Sequence, residues 1–178
     1  VVADGMGGHA GGDTASRLAV EGACAGFARP GALSERLLAA IEQAHVAVWH
    51  EAERDPKLMG MGTTMVCLAI SDDQFQVAHV GDSRAYLVSG DSIQQLTTDH
   101  SWVGEQVAIG KMTEDEAAKH PFRGAITRCL GCQPTVDPDV QPAQSLEPAM
   151  SLVLCSDGLT NHVLDDEIRS IVRSEEHT

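Results

Sequence analysis

The sequence predicts an α+β fold, in which helices are segregated from antiparallel strands. Two helical segments come first, over about residues 13–27 and 34–54, and a run of short strand-like segments follows over 63–96. The turns between these strands hold only a few residues. Such short turns indicate antiparallel pairing, because a parallel crossover needs about a dozen residues or more. Since helices and strands do not alternate, we expect α+β architecture and not repeated β–α–β units.

The helices are predicted from capping and stop signals. Asp13 and Ser34 are typical N-capping residues before the first two helices, and Asp55-Pro56 stops the second. Thr113 opens a capping box with Glu116. Asp165 caps the last helix. The predicted helices cover about residues 13–27, 34–54, 101–120 and 165–172.

The strands are predicted from short apolar runs bounded by turn residues. Asp72-Asp73 and the Ser89-Gly90-Asp91 turn separate three of these runs. A loop rich in proline precedes the last one. The predicted strands cover residues 1–3, 63–71, 75–80, 84–88, 92–96, 125–130 and 151–155.

The charge of the chain excludes several classes of partner. Its 178 residues include 26 Asp and Glu against 12 Lys and Arg, a net charge of −14. Phosphate backbones and anionic membrane surfaces bind Lys and Arg, so we expect no nucleic acid and no membrane contact. No run approaches the ~20 apolar residues of a membrane span. An acidic surface that promotes solubility explains most of the charge.

The five cysteines favour a reducing compartment and therefore a cytoplasmic location. Their number is odd, and Cys24, Cys67 and Cys155 lie within apolar runs, as buried free thiols do. Cys129 and Cys132 have the C-x-x-C spacing of zinc and redox sites, but no second pair accompanies them. The end of a buried strand is the favoured interpretation for this pair.

Three carboxylates follow apolar strands at Asp-Gly or Gly-Asp turns. They belong to Asp4, Asp82 and Asp157. A carboxylate just past a buried strand is held rigidly, and the adjacent glycine allows a ligand to approach closely. Oxygen ligands of this kind suit Mg²⁺ or Mn²⁺. The alternative is that these residues only form turns. Nucleotide binding is disfavoured, because the glycine-rich stretch over 5–12 matches neither the P-loop nor the dinucleotide-binding pattern.

Six stretches, taken in order, resemble the metal-dependent (type 2C) serine/threonine protein phosphatases in their bacterial form. They are VADGMGGH (2–9), GMGTT (60–64), AHVGDSRAYL (78–87), LTTDHS (96–101), ITRCLG (126–131) and LCSDGL (154–159). The resemblance covers most of residues 1–172. It implies a central β-sandwich of two antiparallel sheets flanked by helices on both sides.

The resemblance also implies the roles of individual residues at a two-metal site. Asp4 would bridge the two ions, Gly5 would offer its backbone carbonyl to one of them, and Asp157 would bind the other. Asp99, with Asp157, would hold a weaker third ion. His9 is the candidate general acid, beside the alternative of a polar turn residue. His79, inside an apolar strand, is predicted to be a core histidine.

The implied reaction is hydrolysis of phosphoserine and phosphothreonine in proteins by a metal-activated water. An acid would protonate the leaving oxygen, and no covalent phospho-enzyme is needed. Phosphorylated proteins, including a serine/threonine kinase, are the expected partners. Two alternatives stay open: a catalytically silent relative that binds phosphoproteins or regulates a kinase, and a phosphatase domain of a larger switch protein. Residues 101–124 would form a mobile flap beside the site.

The resemblance implies that the domain is incomplete at both ends. Family members carry a phosphate-binding arginine and an acidic residue before the first Asp-Gly strand, and an Asp-Asn pair near the end. Arg84 and Arg128 match other family motifs and do not replace that arginine. We therefore interpret residues 1–172 as a partial phosphatase domain. Residues 173–178 are similar to a translated sequencing adapter and are interpreted as a non-native tail.

Overall fold

Four layers make up the fold in the computed structural model, which describes residues 1–175 apart from the side chains of His9, Ala10 and Glu175. Two long helices form the first layer, two antiparallel sheets form the middle layers, and one helix forms the last. The helices are α1 (Gly8–Phe27), α2 (Leu33–Arg54), α3 (Trp102–Ala108), α4 (Glu114–Ala118), α5 (Asp157–Thr160) and α6 (Asp165–Glu175). Among these residues, none of the helices has the length and apolar character needed to cross a membrane.

Three groups of strands pair antiparallel throughout. The shortest group joins β1 (Gly5–Met6) to β2 (Gly62–Thr63). The first sheet contains β3 (Met65–Ser71), β4 (Gln74–Val80), β7 (Asp139–Val140) and β8 (Gln144–Ser145). The second sheet has the order β6 (Ser92–Gln95), β5 (Arg84–Ser89) and β9 (Met150–Cys155).

Alternation along the strands sorts side chains between the layers. On β3, Met65 and Cys67 pack against α1 and α2, whereas Val66 faces the second sheet. Residues of both sheets fill the space between them. On the outer face of the second sheet, Tyr86 and Cys155 pack against Ile168 of α6. The predicted α+β class, with a β-sandwich flanked by helices on both sides, is therefore confirmed.

The helices differ from their predicted bounds at two places. Helix α1 begins at Gly8 and not at Asp13, because Gly7 adopts a left-handed φ of 115° that starts the helix early. A Cβ on Gly7 would also lie 2.9 Å from the Cα atom of Met61. The predicted helix over 101–120 is divided into α3 and α4, with Gly110 at φ 72° between them. The Thr113 capping box is present as predicted.

Residues 125–130 do not form the predicted strand. Ile126 and Leu130 make isolated bridges to Ser101 and Thr63, and the stretch between them is a loop. Of the apolar residues in this stretch, only Leu130 is buried, whereas Ala125 is exposed and Ile126 is partly exposed. Single bridges at its two ends replace the continuous ladder of a strand.

The prediction of buried free thiols is correct for Cys67 and Cys155, whereas Cys24 is free but exposed. Cys129 and Cys132 form a disulfide and lie in a loop, so the favoured interpretation of this pair as the end of a buried strand is wrong. A Cβ on Gly62 would meet the Cys132 sulfur at 2.5 Å, so the disulfide packs directly on β2.

Candidate metal centre

The three carboxylate turns meet at one end of the sandwich because of strand register. Arg84 at the start of β5 lies opposite Cys155 at the end of β9. In an antiparallel pair, the start of one strand lies beside the end of its neighbour, so the residue before β5 and the residue after β9 emerge at the same end of the sheet. Asp82 and Asp157 are therefore neighbours. In the other sheet, Met65 lies opposite Val80, which brings Thr64 beside the Gly81 turn.

The backbone of Asp4 is fixed by hydrogen bonds from Thr63 and Thr64. The Thr64 N–H and the Thr63 hydroxyl both donate to the Asp4 carbonyl oxygen, each at a distance of 2.9 Å. The Asp4 N–H donates to Thr64 Oγ1 at 3.2 Å. Thr64 Oγ1 also shares a hydrogen bond of 2.7 Å with Ser83 Oγ. A continuous polar link therefore joins Asp4 to the residue after Asp82.

Gly5 lies in close contact with the beginning of α1. A Cβ on Gly5 would lie 1.9 Å from the carbonyl oxygen of Gly12, a distance that no side chain can accommodate. Strand β1 and the first turns of α1 consequently lie backbone to backbone. The requirement for glycine at position 5 is steric and holds whether or not its carbonyl binds a metal ion.

The three carboxylates repel one another. The pKa of Asp4 is raised, first by burial and then by the charge of Asp157 and a hydrogen bond with it, although a hydrogen bond with Ser156 acts in the opposite direction. Burial, followed by the charges of Asp157, Asp99 and Asp4, raises the pKa of Asp82 to about 6. Like charges this close cost folding free energy unless a proton or a cation is bound.

The donor set fits a hard divalent cation. Besides the hydrogen bond between Asp4 and Asp157 themselves, the partners of these two side chains are neutral: Ser156 acts on Asp4, and the Asn161 amide donates to Asp157 Oδ2 at 3.1 Å. Neutral donors leave the negative charge of the cluster uncompensated. Carboxylate oxygens beside glycine backbone match the ligand preference of Mg²⁺ and Mn²⁺. The arrangement can therefore hold such ions and, through them, a water molecule.

Asp99, the predicted ligand of a third ion, is instead bound to Arg84. The Arg84 guanidinium donates to both oxygens of Asp99, with Nε to Oδ1 at 2.9 Å and Nη2 to Oδ2 at 2.7 Å. Gln95 donates to Asp99 Oδ1 as well, at 3.1 Å. The Asp99 carboxylate thus already has a cation from its own chain. The geometry favours Asp82 over Asp99 as the third carboxylate of the cluster.

Asp82 lies in one of the three Asp-Gly or Gly-Asp turns at which the sequence predicts oxygen ligands for a metal ion. The resemblance implies no role for Asp82 and places the third ion at Asp99, which a strand pair separates from Asp82 in the sequence. Only the pairing of Arg84 with Asp99 distinguishes the two carboxylates.

Two histidines complete the account of the predicted site. The backbone of His9 lies in the first turn of α1, close in sequence to Asp4, but its side chain lies outside the described part of the structure. His79 is fully buried, in agreement with the prediction of a core histidine. Its Nε2 contacts the Thr98 carbonyl oxygen at 2.8 Å.

Comparisons with known proteins identify the family of this chain. The family described as protein phosphatase 2C matches residues 1–176. The serine/threonine phosphatase stp of Listeria innocua is 38% identical over 98% of this chain and 71% of its own length. The protein phosphatase PhpP of Streptococcus pneumoniae is also 38% identical, over 98% of this chain and 72% of its own.

Solved structures give the same result. The Mycobacterium tuberculosis serine/threonine phosphatase PstP/Ppp superposes with a TM-score of 0.87 at 35% identity, over 96% of this chain and 73% of its own. The catalytic domain of PstP, solved in complex with two manganese ions, has a TM-score of 0.84 at 34% identity, over 96% of this chain and 72% of its own. With its sandwich, its carboxylate turns and these relatives, the chain belongs to the protein phosphatase 2C family.

Proposed function

We propose that this chain hydrolyses phosphoserine and phosphothreonine in proteins by means of a water molecule activated at the carboxylate cluster. The observation that carries the proposal is the convergence of Asp4, Asp82 and Asp157 with raised pKa values for Asp4 and Asp82. Perturbed acids that face one another at strand ends are typical of a functional site. The phosphatase names of the relatives support the reaction and give no support to a silent phosphoprotein-binding relative.

Within this proposal, each residue of the cluster has a defined task. Asp4, the Gly5 carbonyl and Asp157 would hold a pair of Mg²⁺ or Mn²⁺ ions, with Asp4 as a ligand of both. Asp82, with Asp157, would hold a weaker third ion, in place of Asp99. When bound, such ions supply a water of lowered pKa and positive charge for the phosphoryl oxygens.

The reaction also needs groups that hold the metal ligands in position and a group that protonates the leaving oxygen. The hydrogen bonds from Thr63 and Thr64 keep the Asp4 backbone still, which limits reorganisation when substrate binds. The leaving serine or threonine oxygen needs a proton, and His9 is proposed as its donor. Residues 101–124, which include α3 and α4, are proposed as the flap beside the site.

The proposal is tested by phosphate release from a phosphothreonine peptide. We expect release that depends on Mn²⁺ and is abolished in Asp157→Asn, because the variant removes one metal carboxylate at constant size. Asp72→Asn, in the exposed turn between β3 and β4 at the other end of the sheet, is the matched control and should leave the rate unchanged. Release by Asp157→Asn at the wild-type rate would refute the assignment of Asp157. Peptide binding without any turnover would refute the enzyme.

A protein kinase as substrate and a cytoplasmic location go beyond what membership of the family implies. The family acts on phosphorylated proteins, and we propose that a serine/threonine kinase is among them. The free thiols of Cys24, Cys67 and Cys155 support a cytoplasmic location, and the Cys129–Cys132 disulfide is the observation against it. Phosphorylated kinase incubated with the active enzyme and Mn²⁺ should lose phosphate, and an unchanged phosphorylation level would exclude it as a substrate.

The domain bounds also remain a proposal. We propose that residues 1–172 are the partial phosphatase domain and that 173–178 are a non-native tail. Helix α6 continues to Glu175, so its last residues belong to the proposed tail, and residues 176–178 lie outside the described part of the chain. Codons for 173–178 that are unrelated to an adapter would contradict the proposal.

A further inference from the structure

Two hydrogen bonds attach His100 to Gly81, the residue before Asp82. The Gly81 N–H donates to the His100 ring at Nδ1 over 3.2 Å. The His100 N–H donates to the Gly81 carbonyl oxygen over 3.0 Å. Both peptide groups of Gly81 are therefore attached to a single residue, which is only 3% exposed.

Gly81 needs such support because its conformation is unusual. Its φ is 102°, in a region that side chains other than glycine rarely adopt, and a Cβ would lie 2.6 Å from Thr64 Cβ. The direction of the Asp82 side chain depends on this peptide. On the other side of Asp82, the Ser83 hydroxyl is bonded to Thr64. Asp82 thus lies between two anchored residues.

The His100 ring is in turn held by Asp139 and Arg128. Since Gly81 donates to Nδ1, the ring proton of the neutral histidine lies on Nε2, which is 3.3 Å from Asp139 Oδ2. Arg128 Nη1 donates to Asp139 Oδ1 over 3.0 Å. The rings of His79 and His100 stack with centroids 4.5 Å apart. The ring therefore cannot rotate without breaking several contacts.

A metal ion at this histidine is the competing interpretation. His79, His100 and Asp139 each offer a ligand atom, and these atoms lie within 4.8 Å of one another. However, a metal ion on His100 Nε2 would leave the ring with no proton while Nδ1 still accepts from Gly81. Arg128 already supplies a positive charge to Asp139. The contacts favour a role in positioning.

We propose that His100 is a positioning residue for Asp82, acting through Gly81 and oriented by Asp139 and Arg128. The proposal rests on the proposed function, in which Asp82 binds a metal ion. It also gives Asp99 a purpose, because Asp99 holds Arg84 at the other end of the same turn. The consecutive residues Asp99 and His100 thereby hold Arg84 and Gly81, the two ends of the segment that carries Asp82.

The experiment measures Mn²⁺ binding by calorimetry and the exchange of the Gly81 amide by NMR. In His100→Leu, we expect the affinity of the Asp82-dependent site to fall about 10- to 100-fold, the range for loss of a group that orients a ligand. Exchange of the Gly81 amide should accelerate at the same time. In His100→Asn, the side-chain oxygen can replace Nδ1 as acceptor, so protection of Gly81 and most of the affinity should return.

His45 provides the matched control. It is a buried histidine, 5% exposed, whose Nδ1 accepts from the N–H of Gly131, another glycine with positive φ. His45→Leu should destabilise the protein without changing Mn²⁺ affinity. If His100→Leu is too unstable to study, Asp139→Ala, at a partly exposed edge, should lower the affinity about tenfold.

The outcomes separate this inference from the proposed function. If Asp82→Asn lowers Mn²⁺ affinity and folded His100→Leu or Asp139→Ala does not, the positioning role is wrong and the metal centre stands. If Asp82→Asn leaves Mn²⁺ binding unchanged, the metal role of Asp82 is wrong and the inference falls with it. Equal losses of affinity in His45→Leu and His100→Leu would show a general effect of stability and overturn the positioning role.

Discussion

The paired carboxylate of Asp99 and the facing carboxylates of Asp4 and Asp157 form two groups near the same end of the sandwich. They differ in where the positive charge that balances them comes from. Asp99 receives both arms of the Arg84 guanidinium, so its charge is neutralised within the chain. Asp4 and Asp157 face each other, and Ser156 and Asn161, which form hydrogen bonds with them, carry no charge. One group stabilises the folded protein. The other lowers its stability and gains from an external cation.

The comparison shows why carboxylates of similar sequence context have different roles. An ion pair with Arg84 contributes to folding and neutralises the Asp99 carboxylate, which then attracts an external cation less. A cluster of like charges costs folding free energy, and proteins retain such a cost mainly at functional sites. The location of the nearest cationic side chain, and not the turn motif, separates the two groups.

The largest expected effect is on catalysis. Asp4→Asn should lower phosphate release by about a thousandfold, or on the order of 4 kcal/mol, because the proposed bridging carboxylate is lost. Asp99→Asn should lower it less than about tenfold, since Asp99 acts only through the neighbouring turn. Steady-state rates at saturating Mn²⁺ check both values. Equal losses in the two variants would remove the distinction between the groups.

The next effect is on the free energy of unfolding, which should fall when Asp99 is neutralised and rise when Asp157 is neutralised. Without metal, Asp99→Asn should destabilise the protein by about 2 kcal/mol, less than for a fully buried pair because the side chains of Arg84 and Asp99 are 27% and 17% exposed. Asp157→Asn should stabilise the metal-free protein slightly, because it removes repulsion. Urea unfolding in a chelator measures both. Destabilisation by Asp157→Asn would contradict the account of the cluster.

A pH dependence should distinguish the cluster further. The folded-state pKa of Asp82 is about 6, above the ordinary value near 3.9, so the folded metal-free protein holds a proton that the unfolded chain has released. This contribution to stability is complete below about pH 4 and is lost as the pH rises towards 6. The raised pKa of Asp4 acts in the same direction.

The measurement is the difference in unfolding free energy between wild type and Asp82→Asn, with metal removed, from pH 4 to 7. The variant should gain relative stability as the pH rises through this window. Groups with lowered pKa values, such as Asp139, act in the opposite direction but are common to both proteins and cancel. A difference that does not change with pH would exclude the raised pKa of Asp82.

The smallest effect concerns the neutral donors of the cluster. Asn161→Ala removes the amide that donates to Asp157 Oδ2. We expect about a threefold loss of Mn²⁺ affinity, because a single exposed hydrogen bond contributes little. His162→Ala, at the adjacent exposed position, is the control. A loss as large as that in Asp157→Asn would mean that Asn161 itself acts as a ligand.

Much of the fold was predictable because its signals are local. Alternation on β3 and β4 depends on residues two positions apart, and the Asp-Gly turns depend on adjacent residues. The start of α1 at Gly8 was not predictable in this way, because the space that requires glycine at position 7 is bounded by the distant Met61. The predicted strand over 125–130 is wrong because the stretch pairs with distant residues only at Ile126 and Leu130.

The sequence by itself determined the α+β architecture and the two strand ends that carry Asp82 and Asp157, whereas the predicted strand before Asp4 is only an isolated bridge at Val2. Tertiary structure decided which carboxylates form the cluster. The register of β5 against β9 brings Asp82 beside Asp157, and Arg84 reaches across to Asp99. These relations join residues far apart in the chain through side-chain geometry, and no local pattern encodes the distance between two charges. The physical reason is that Coulomb energy depends on separation in space, which only the packed sheets define.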